Sequence, residues 1–145
     1  NPNSIRPWQY VLEPISGILT LAVKMSQNSS EYGGPWNFGP LILKNKTTVK
    51  DLVIQIIKEW NSGEWTDISE QVNSVHEANL LMLDSTKAMN LLGWKPVYSI
   101  DESIHETINW YKEYVDKTSD IQNFSLEQIQ KYVSKAKEMN LFWSH

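Results

Sequence analysis

The chain has 145 residues, with 13 Lys and Arg against 17 Asp and Glu, a formal net charge of −4 and no Cys. The length suits one domain, and 41% hydrophobic with 21% charged residues excludes a disordered chain. The acidic balance argues against a nucleic-acid partner, and the lack of Cys excludes disulfides, thiolate zinc sites and a Cys nucleophile. No apolar run approaches the roughly 20 residues of a membrane span, so we expect no membrane partner.

The first helix is predicted near Glu13 and Pro14, because proline suits a first helical turn and a carboxylate is favoured at a helix N-terminus. Its predicted buried stripe is apolar: Ile15, Ile18, Leu19 and Ala22. The second helix has the clearest pattern, since apolar residues recur at helical spacing over Val49–Trp60. Thr48 and Asp51 form a predicted capping box at its start.

Three more helices follow. A short one is predicted over Ser85–Leu92, capped by Asp84 and ended by Gly93. Two longer helices are predicted to start at capping boxes that begin with Ser99 and Ser125. The apolar residues predicted to be buried on these two helices are Ile104, Ile108, Tyr111 and Val115, then Leu126, Ile129, Val133 and Ala136.

Three short strands are predicted between the helices, at Trp36–Phe38, Trp65–Ser69 and Leu80–Leu83. They are too few for a complete doubly wound sheet, and neither a Gly-x-Gly-x-x-Gly turn nor a Walker loop occurs. The sequence therefore predicts an α/β or α+β substrate lobe with five helices and about three short strands, without the lobe that would hold a dinucleotide.

Two groups of residues are candidates for ligand binding. Arg6, beside Trp8, suits an anionic ligand because a guanidinium can bind phosphate oxygens in a bidentate manner; the alternative is a surface arginine next to a core tryptophan. His76 and Glu77 precede a predicted strand, and a carboxylate there could accept both hydroxyls of a ribose. The alternative for this pair is a solvated loop.

Other chemistry has no support in the sequence. The three His lack metal-ligand spacing, Gly-x-Ser-x-Gly is absent, and no Tyr-x-x-x-Lys pair occurs. Seven Trp, about 5% of the residues, indicate a binding surface. Trp60, Trp94 and Trp110 are predicted to lie in the core, whereas Trp8 and Trp36 are the candidates for a ligand surface.

Several segments, in order along nearly the whole chain, resemble the CDP-glucose 4,6-dehydratases of the extended short-chain dehydrogenase/reductase superfamily. The Arg-Pro-Trp-Gln and His-Glu-Ala segments point to the CDP-glucose branch, whereas the Leu-Gly-Trp-x-Pro segment is typical of the whole superfamily. The segments that carry the resemblance are Asn1–Pro14, Trp36–Pro40, His76–Ala78, Leu83–Ala88, Leu92–Pro96, Thr107–Tyr114 and Phe124–Ile129.

The resemblance implies that the chain is the C-terminal portion of such an enzyme. Arg6 then contacts the substrate phosphates and Glu77 the nucleotide ribose, with Trp8 and His76 near the pocket. Many relatives carry a second arginine three residues before that acid, where this chain has Ser74. Residues 1–118 are expected to form the nucleotide-sugar-binding lobe, and residues 119–145 a helical extension packed on it.

The resemblance also implies an activity for the parent enzyme, in which bound NAD supports conversion of CDP-glucose to CDP-4-keto-6-deoxyglucose and water. NAD and the catalytic residues belong to an N-terminal Rossmann domain, so this chain is expected to bind no cofactor and to be inactive alone. Its expected partners are a CDP-sugar and that domain, with a homo-oligomer possible. Deoxysugar and lipopolysaccharide O-antigen synthesis in the cytoplasm is the implied setting.

Two alternatives stay open at this point. The chain could be the lobe of another nucleotide-sugar epimerase or reductase. It could also be a free-standing, non-catalytic module that binds a nucleotide-sugar or a carbohydrate through exposed Trp. An apolar face is expected on the surface of the chain if a partner domain normally covers it.

Overall fold

A computed structural model describes residues 1–41, 46–68, 78–117 and 120–145. Helix dominates these ranges and accounts for 59% of the described residues. The elements in chain order are α1 (Leu12–Gln27), α2 (Ser29–Tyr32), α3 (Val49–Trp60), α4 (Thr86–Leu92), α5 (Ile100–Asp116), α6 (Ile121–Glu138) and a 3₁₀ turn (Phe142–Ser144).

The predicted α/β or α+β class with short strands is wrong. The described ranges contain no sheet, only isolated β-bridges from Ile5 to Thr48, antiparallel, and to Leu80, parallel. A strand exists through hydrogen bonds to a neighbouring strand, so an apolar run without that neighbour does not form one. None of the three predicted strands forms within the described residues: 36–38, 65–68 and 80–83. The predicted strand at 65–69 ends at residue 69, which lies outside the described ranges.

The two helices with the strongest local signals are confirmed. α3 begins with the predicted capping box: Thr48 Oγ1 accepts from Asp51 N at 3.1 Å, and the Asp51 carboxylate accepts from Thr48 N at 3.0 Å. α5 begins in the same way, with Ser99 and Glu102. α3 and α5 pack against each other, so these two patterns define one pair of helices.

The predicted ends of α4 are nearly right. Gly93 ends the helix as predicted, with the positive φ of 65° that glycine adopts without strain. The helix begins one residue late, since Ser85 occupies the cap position. The Asp84 carboxylate still accepts a hydrogen bond from Thr86 N, at 2.9 Å.

The predicted start of the last helix at Ser125 is wrong. α6 begins one turn earlier, where the Asp120 carboxylate accepts from Gln122 N at 3.0 Å. Ser125 lies inside the helix: its hydroxyl donates to Ile121 O at 2.7 Å and accepts from Trp110 Nε1 at 2.8 Å. A serine that bonds back to the preceding turn is no cap, although its sequence pattern is the same.

The buried faces of α1 and α6 are not the predicted apolar stripes. On α1 the four residues predicted to be buried are exposed, and the buried ones are Glu13, Ser16, Gly17 and Thr20. On α6 the predicted Leu126 and Ile129 are exposed, and the buried residues are Gln128, Tyr132 and, as predicted, Ala136. On α5 the prediction is right for Ile104 and Ile108 but wrong for Tyr111 and Val115, which are exposed.

The core consists of two aromatic-rich clusters, and Ser16 of α1 contacts a member of each, Trp94 and Tyr132. One holds Tyr10, Val97, Tyr98, Tyr132, Ala136 and Leu141. The other holds Phe38, Ala88, Leu92 and Trp94. Trp94 is fully buried, in agreement with its predicted core position, while Trp60 and Trp110 are partly buried. The segment that carries Arg6 and Trp8 therefore enters the core directly, through Tyr10.

Candidate functional site

The predicted phosphate-binding residue Arg6 follows a residue whose backbone is held on both sides. Ile5 N donates to Asn79 O at 2.8 Å, and Ile5 O accepts from Leu81 N at 3.1 Å. The Arg6 side chain is partly buried, and its Nη1 also donates to Ile5 O, at 2.9 Å. These hydrogen bonds hold the backbone next to Arg6 beside the segment that begins at residue 78.

The acidic half of the predicted site is not described. Ser74, His76 and Glu77 lie outside the described ranges. The bridge between Ile5 and Leu80 nevertheless brings the segment that directly follows them to the residue that precedes Arg6. The side-chain hydrogen bond of 2.7 Å between Asn1 and Asn79 holds the same two segments together.

Trp8 and Gln9 lie between two cavities. The larger, of about 510 Å³, lies between this pair, Pro40 and the segment 96–103. The smaller, of about 190 Å³, separates the pair from α3 and α5. Gln9 Nε2 donates to Phe38 O at 3.0 Å, which joins this segment to residues 36–39. The structure thus places the predicted Trp8 at the wall of a cavity rather than at an open surface.

The other predicted surface tryptophan, Trp36, has contacts with neighbouring side chains. Its Nε1 donates to Tyr32 O at 2.9 Å, and the two rings stack with centroids 6.3 Å apart. The Lys87 ammonium lies 4.0 Å from the Trp36 ring centroid, in cation–π geometry. The ring therefore takes part in packing between α2 and α4.

A buried carboxylate, Glu13, lies behind this segment and lines the larger cavity. Its two oxygens accept from Val97 N at 2.9 and 3.1 Å and from Tyr98 N at 2.8 Å. The Tyr132 hydroxyl donates to it at 2.8 Å. Burial raises the pKa of Glu13, and the bonds from Tyr98, Val97 and Tyr132 oppose that rise. Glu13 thus joins α1, α6 and the segment between α4 and α5.

The side chains of Ser16 and Trp94 continue this network. Ser16 Oγ donates to Glu13 O at 2.9 Å, accepts from Trp94 Nε1 at 3.1 Å and lies 3.1 Å from the Tyr132 hydroxyl. All of these bonds are buried. The polar face of α1 can therefore be buried, because its polar atoms are hydrogen-bonded.

A second chain of bonds starts at Tyr10. Its hydroxyl donates to Gln128 Oε1 at 3.2 Å, and Gln128 Nε2 donates to the carboxylate of Glu106 at 3.1 Å. Glu106 is also paired with Lys131. Burial, and then the charge of Glu106, raises the pKa of Tyr10 to about 12. This tyrosine is therefore neutral at physiological pH and acts as a hydrogen-bond donor within the core.

Comparison with known proteins gives a relative whose activity is known. No family model matches the chain. The chain is 34% identical over 135 residues to the CDP-glucose 4,6-dehydratase of Salmonella typhimurium (strain LT2). The match covers 92% of this chain but 36% of that enzyme, so the chain spans about a third of the length of the relative.

The resemblance seen in the sequence is confirmed. Coverage of nearly all of this chain by about a third of a CDP-glucose 4,6-dehydratase is consistent with a C-terminal portion of such an enzyme. In this chain, Trp8 and Gln9 of the Arg-Pro-Trp-Gln segment line a cavity, and the segment after Glu77 pairs with Ile5, which precedes Arg6.

Sequence reasoning missed Glu13, Ser16 and Tyr132 as a connected group. Glu13 lies in the first turn of α1, as predicted, but it is also buried in contact with residues more than 80 positions away. The available signal was a run of apolar residues that leaves two polar positions, 13 and 16, on one side of the helix.

Two further observations bear on the chemistry of the site. Within the described ranges, no three His, Asp or Glu side chains are grouped so that they could hold a metal ion. No helix among the described residues has the length and apolar character that would allow it to cross a bilayer.

Proposed function

We propose that this chain is the substrate-binding part of a CDP-glucose 4,6-dehydratase and binds the CDP portion of the sugar nucleotide. The observation that carries this proposal is the 34% identity to such an enzyme along 92% of the chain. A cavity of nucleotide scale that Trp8 and Gln9 line supports it, because the guanidinium-bearing Arg6 precedes Trp8 by two residues.

In this proposal Arg6 binds the pyrophosphate and Glu77 accepts hydrogen bonds from the ribose hydroxyls. Arginine is suited to this role because its planar guanidinium matches two phosphate oxygens. The pairing of Ile5 with Leu80 supports a common site, since only two residues separate Leu80 from Glu77. Trp8 forms part of the wall, and His76 is assigned to the same pocket. Residues 1–118 form this lobe, with residues 119–145 packed on it.

The reaction of the parent enzyme is assigned to CDP-glucose, which loses water to give CDP-4-keto-6-deoxyglucose in deoxysugar synthesis. NAD would supply hydride acceptance and return, and the protein would supply binding and orientation. We assign NAD binding and the catalytic groups to the part of the enzyme that this chain does not match, and we expect the chain alone to be inactive.

Another nucleotide-sugar epimerase or reductase is the second candidate, because the superfamily shares the Leu-Gly-Trp-x-Pro segment. The base of the bound nucleotide distinguishes the two. A carbohydrate module that stacks sugars on exposed Trp has less support, since each of the seven Trp is buried or partly buried.

The experiment is isothermal titration of this chain with CDP, UDP and dTDP. The proposal expects CDP to bind more tightly than the other two. It expects Arg6→Ala and Glu77→Gln to weaken CDP binding, by about 1.5–3 kcal/mol for a lost charged hydrogen bond. Lys95→Ala and Glu64→Gln are the matched controls, because both residues are exposed. Stronger binding of UDP or dTDP would favour the second candidate, and no binding of any nucleotide would overturn the assignment of a pocket to this chain.

A further inference from the structure

The larger cavity, of about 510 Å³, has two walls that come from distant parts of the chain. Trp8 and Gln9 form one wall. Every residue from 96 to 103 lines the other wall, which includes the start of α5. The fit of any ligand between them depends on what holds these two walls at a fixed distance.

Glu13 links the two walls. It follows Gln9 by four residues, in the first turn of α1, and it also lines the cavity. Its Oε1 accepts from Tyr98 N at 2.8 Å and from Val97 N at 3.1 Å, and its Oε2 accepts from Val97 N at 2.9 Å. One carboxylate therefore connects the segment of the first wall to the backbone of the second.

The backbone of the second wall depends on this carboxylate. Val97 and Tyr98 are both buried, and among the described residues they belong to neither a helix nor a sheet. The hydrogen bonds described for their N–H groups go to Glu13. Because a buried N–H group without an acceptor is costly, loss of the carboxylate would favour another path for this segment.

Ring packing holds the second wall less precisely than the carboxylate does. The Tyr98 ring centroid lies 5.3 Å from that of Tyr10 and 5.3 Å from that of Tyr132. Aromatic pairs are favourable over a range of centroid separations, about 4.5–7 Å, whereas hydrogen bonds weaken steeply with distance and angle. The bonds to Glu13 are therefore the contacts that set the position of this backbone.

We propose that Glu13 is a positioning residue for the nucleotide, because its carboxylate holds Val97 and Tyr98 and so fixes the wall of residues 96–103 opposite Trp8 and Gln9. This inference rests on the proposed function, since it takes the larger cavity as the nucleotide site. Glu13 acts through the wall: its oxygens already accept from Val97, Tyr98 and Tyr132.

The test is thermal denaturation of the chain and its variants at increasing CDP concentration. Ligand stabilises only the folded state, so the increase in stability gives the dissociation constant of folded protein even in a destabilised variant. Glu13→Met removes both oxygens and keeps an unbranched side chain that favours helix. Glu13→Gln keeps one oxygen, which at the Oε1 position accepts from both wall N–H groups.

Tyr132→Phe is the matched control. It removes the hydrogen bond that reaches the same carboxylate from α6, and Tyr132 does not line this cavity. The substitution leaves the bonds between Glu13 and the wall in place. It therefore lowers stability without removing the contacts that the inference depends on.

Glu13→Met should raise the dissociation constant for CDP at least about tenfold, as expected if the wall takes its binding position in a tenth of the molecules or fewer. Glu13→Gln and Tyr132→Phe should stay close to the wild type. Equal weakening in Tyr132→Phe and Glu13→Met would overturn the inference, because stability alone would then explain the loss. Equal weakening in Glu13→Gln would also overturn it, because the retained acceptor would then have no effect.

Hydrogen exchange of the wild type tests the same point without any variant. In the absence of nucleotide, the N–H groups of Val97 and Tyr98 should already exchange slowly, because Glu13 holds them. Fast exchange that only CDP slows would overturn the inference, since the ligand would then order the wall.

The outcomes separate this inference from the proposed function. A wild type that binds CDP together with a Glu13→Met variant that binds it equally well overturns the positioning role alone. A wild type that binds no CDP overturns both.

Discussion

Glu13 accepts a hydrogen bond of 2.8 Å from the hydroxyl of Tyr132, although 119 positions separate the two residues. This bond joins the first long helix to the last one. The same carboxylate accepts backbone hydrogen bonds from Val97 and Tyr98, so three separate parts of the chain meet at one buried charge. A group with so many partners makes the stability of the fold sensitive to each of them.

Tyr132→Phe should lower the free energy of unfolding by about 1–3 kcal/mol. The substitution removes the hydroxyl that donates to Glu13 and keeps the ring that packs on Tyr98. Urea denaturation followed by circular dichroism measures the change. Tyr111→Phe, at an exposed tyrosine of α5, is the control and should have little effect. Equal effects of the two substitutions would show that the buried hydroxyl contributes nothing.

The contribution of Glu13 to stability should depend on pH. Burial raises its pKa in the folded state above the ordinary value of 4.5. The folded state therefore holds the proton more tightly, and the free energy of unfolding falls as the pH rises from 4.5 through the folded pKa. Below 4.5 both states are protonated and the contribution is fully present. A protonated Glu13 also fits the hydrogen-bond network. The Glu13 carboxyl can donate to the Tyr132 hydroxyl, and the Tyr132 hydroxyl can then donate to Ser16 Oγ.

Denaturation of the wild type and of Glu13→Gln at several pH values measures this effect. The stability of the wild type relative to Glu13→Gln should decrease as the pH rises from below 4.5 towards neutrality. Glu127→Gln is the control because Glu127 is exposed on α6. A difference that stays constant, or that grows with pH, would mean that the folded pKa of Glu13 is not raised.

Gly17→Ala should destabilise the fold although alanine favours helix. A Cβ at position 17 would lie 2.6 Å from Cε1 of Phe38, whose ring packs edge-on against buried Trp94. The ring cannot move without disturbing that contact, and overpacking of this kind costs about 1–3 kcal/mol, against a gain of about 1 kcal/mol in helix propensity. Thermal denaturation compares it with Ser26→Ala, at an exposed position of the same helix. A higher melting temperature for Gly17→Ala would contradict this packing.

The sequence predicted the elements whose signals are local. The capping boxes at Thr48 and Ser99 and the glycine after α4 each depend on residues within one turn, and the structure contains all three. The buried side of α1 depends instead on partners such as Val97 and Tyr132, which no local pattern reveals. Apolar periodicity alone therefore selected the wrong side of that helix. The strands failed for a related reason, because pairing partners lie outside any local window.

In the candidate site, too, some features follow from the local sequence and others depend on tertiary contacts. The chemistry of Arg6 and its neighbour Trp8 predicts a phosphate-binding role, and hydrogen bonds at Ile5 anchor the backbone before Arg6. The segment after Glu77 meets Ile5 through tertiary pairing, which sequence spacing could not predict. The role of Gln9 in holding residues 36–39 depends on a contact 29 positions away, and this too could only come from the structure.

Asp120→Ala should lower the free energy of unfolding by about 1 kcal/mol, because it removes the side chain that caps α6. The unpaired backbone donors at the helix start would then depend on water. Ser134→Ala, at an exposed position of α6, is the control; it should be neutral or slightly stabilising, since alanine favours helix. Chemical denaturation measures both changes. No loss in Asp120→Ala would mean that α6 starts later, where the sequence pattern at Ser125 predicted it.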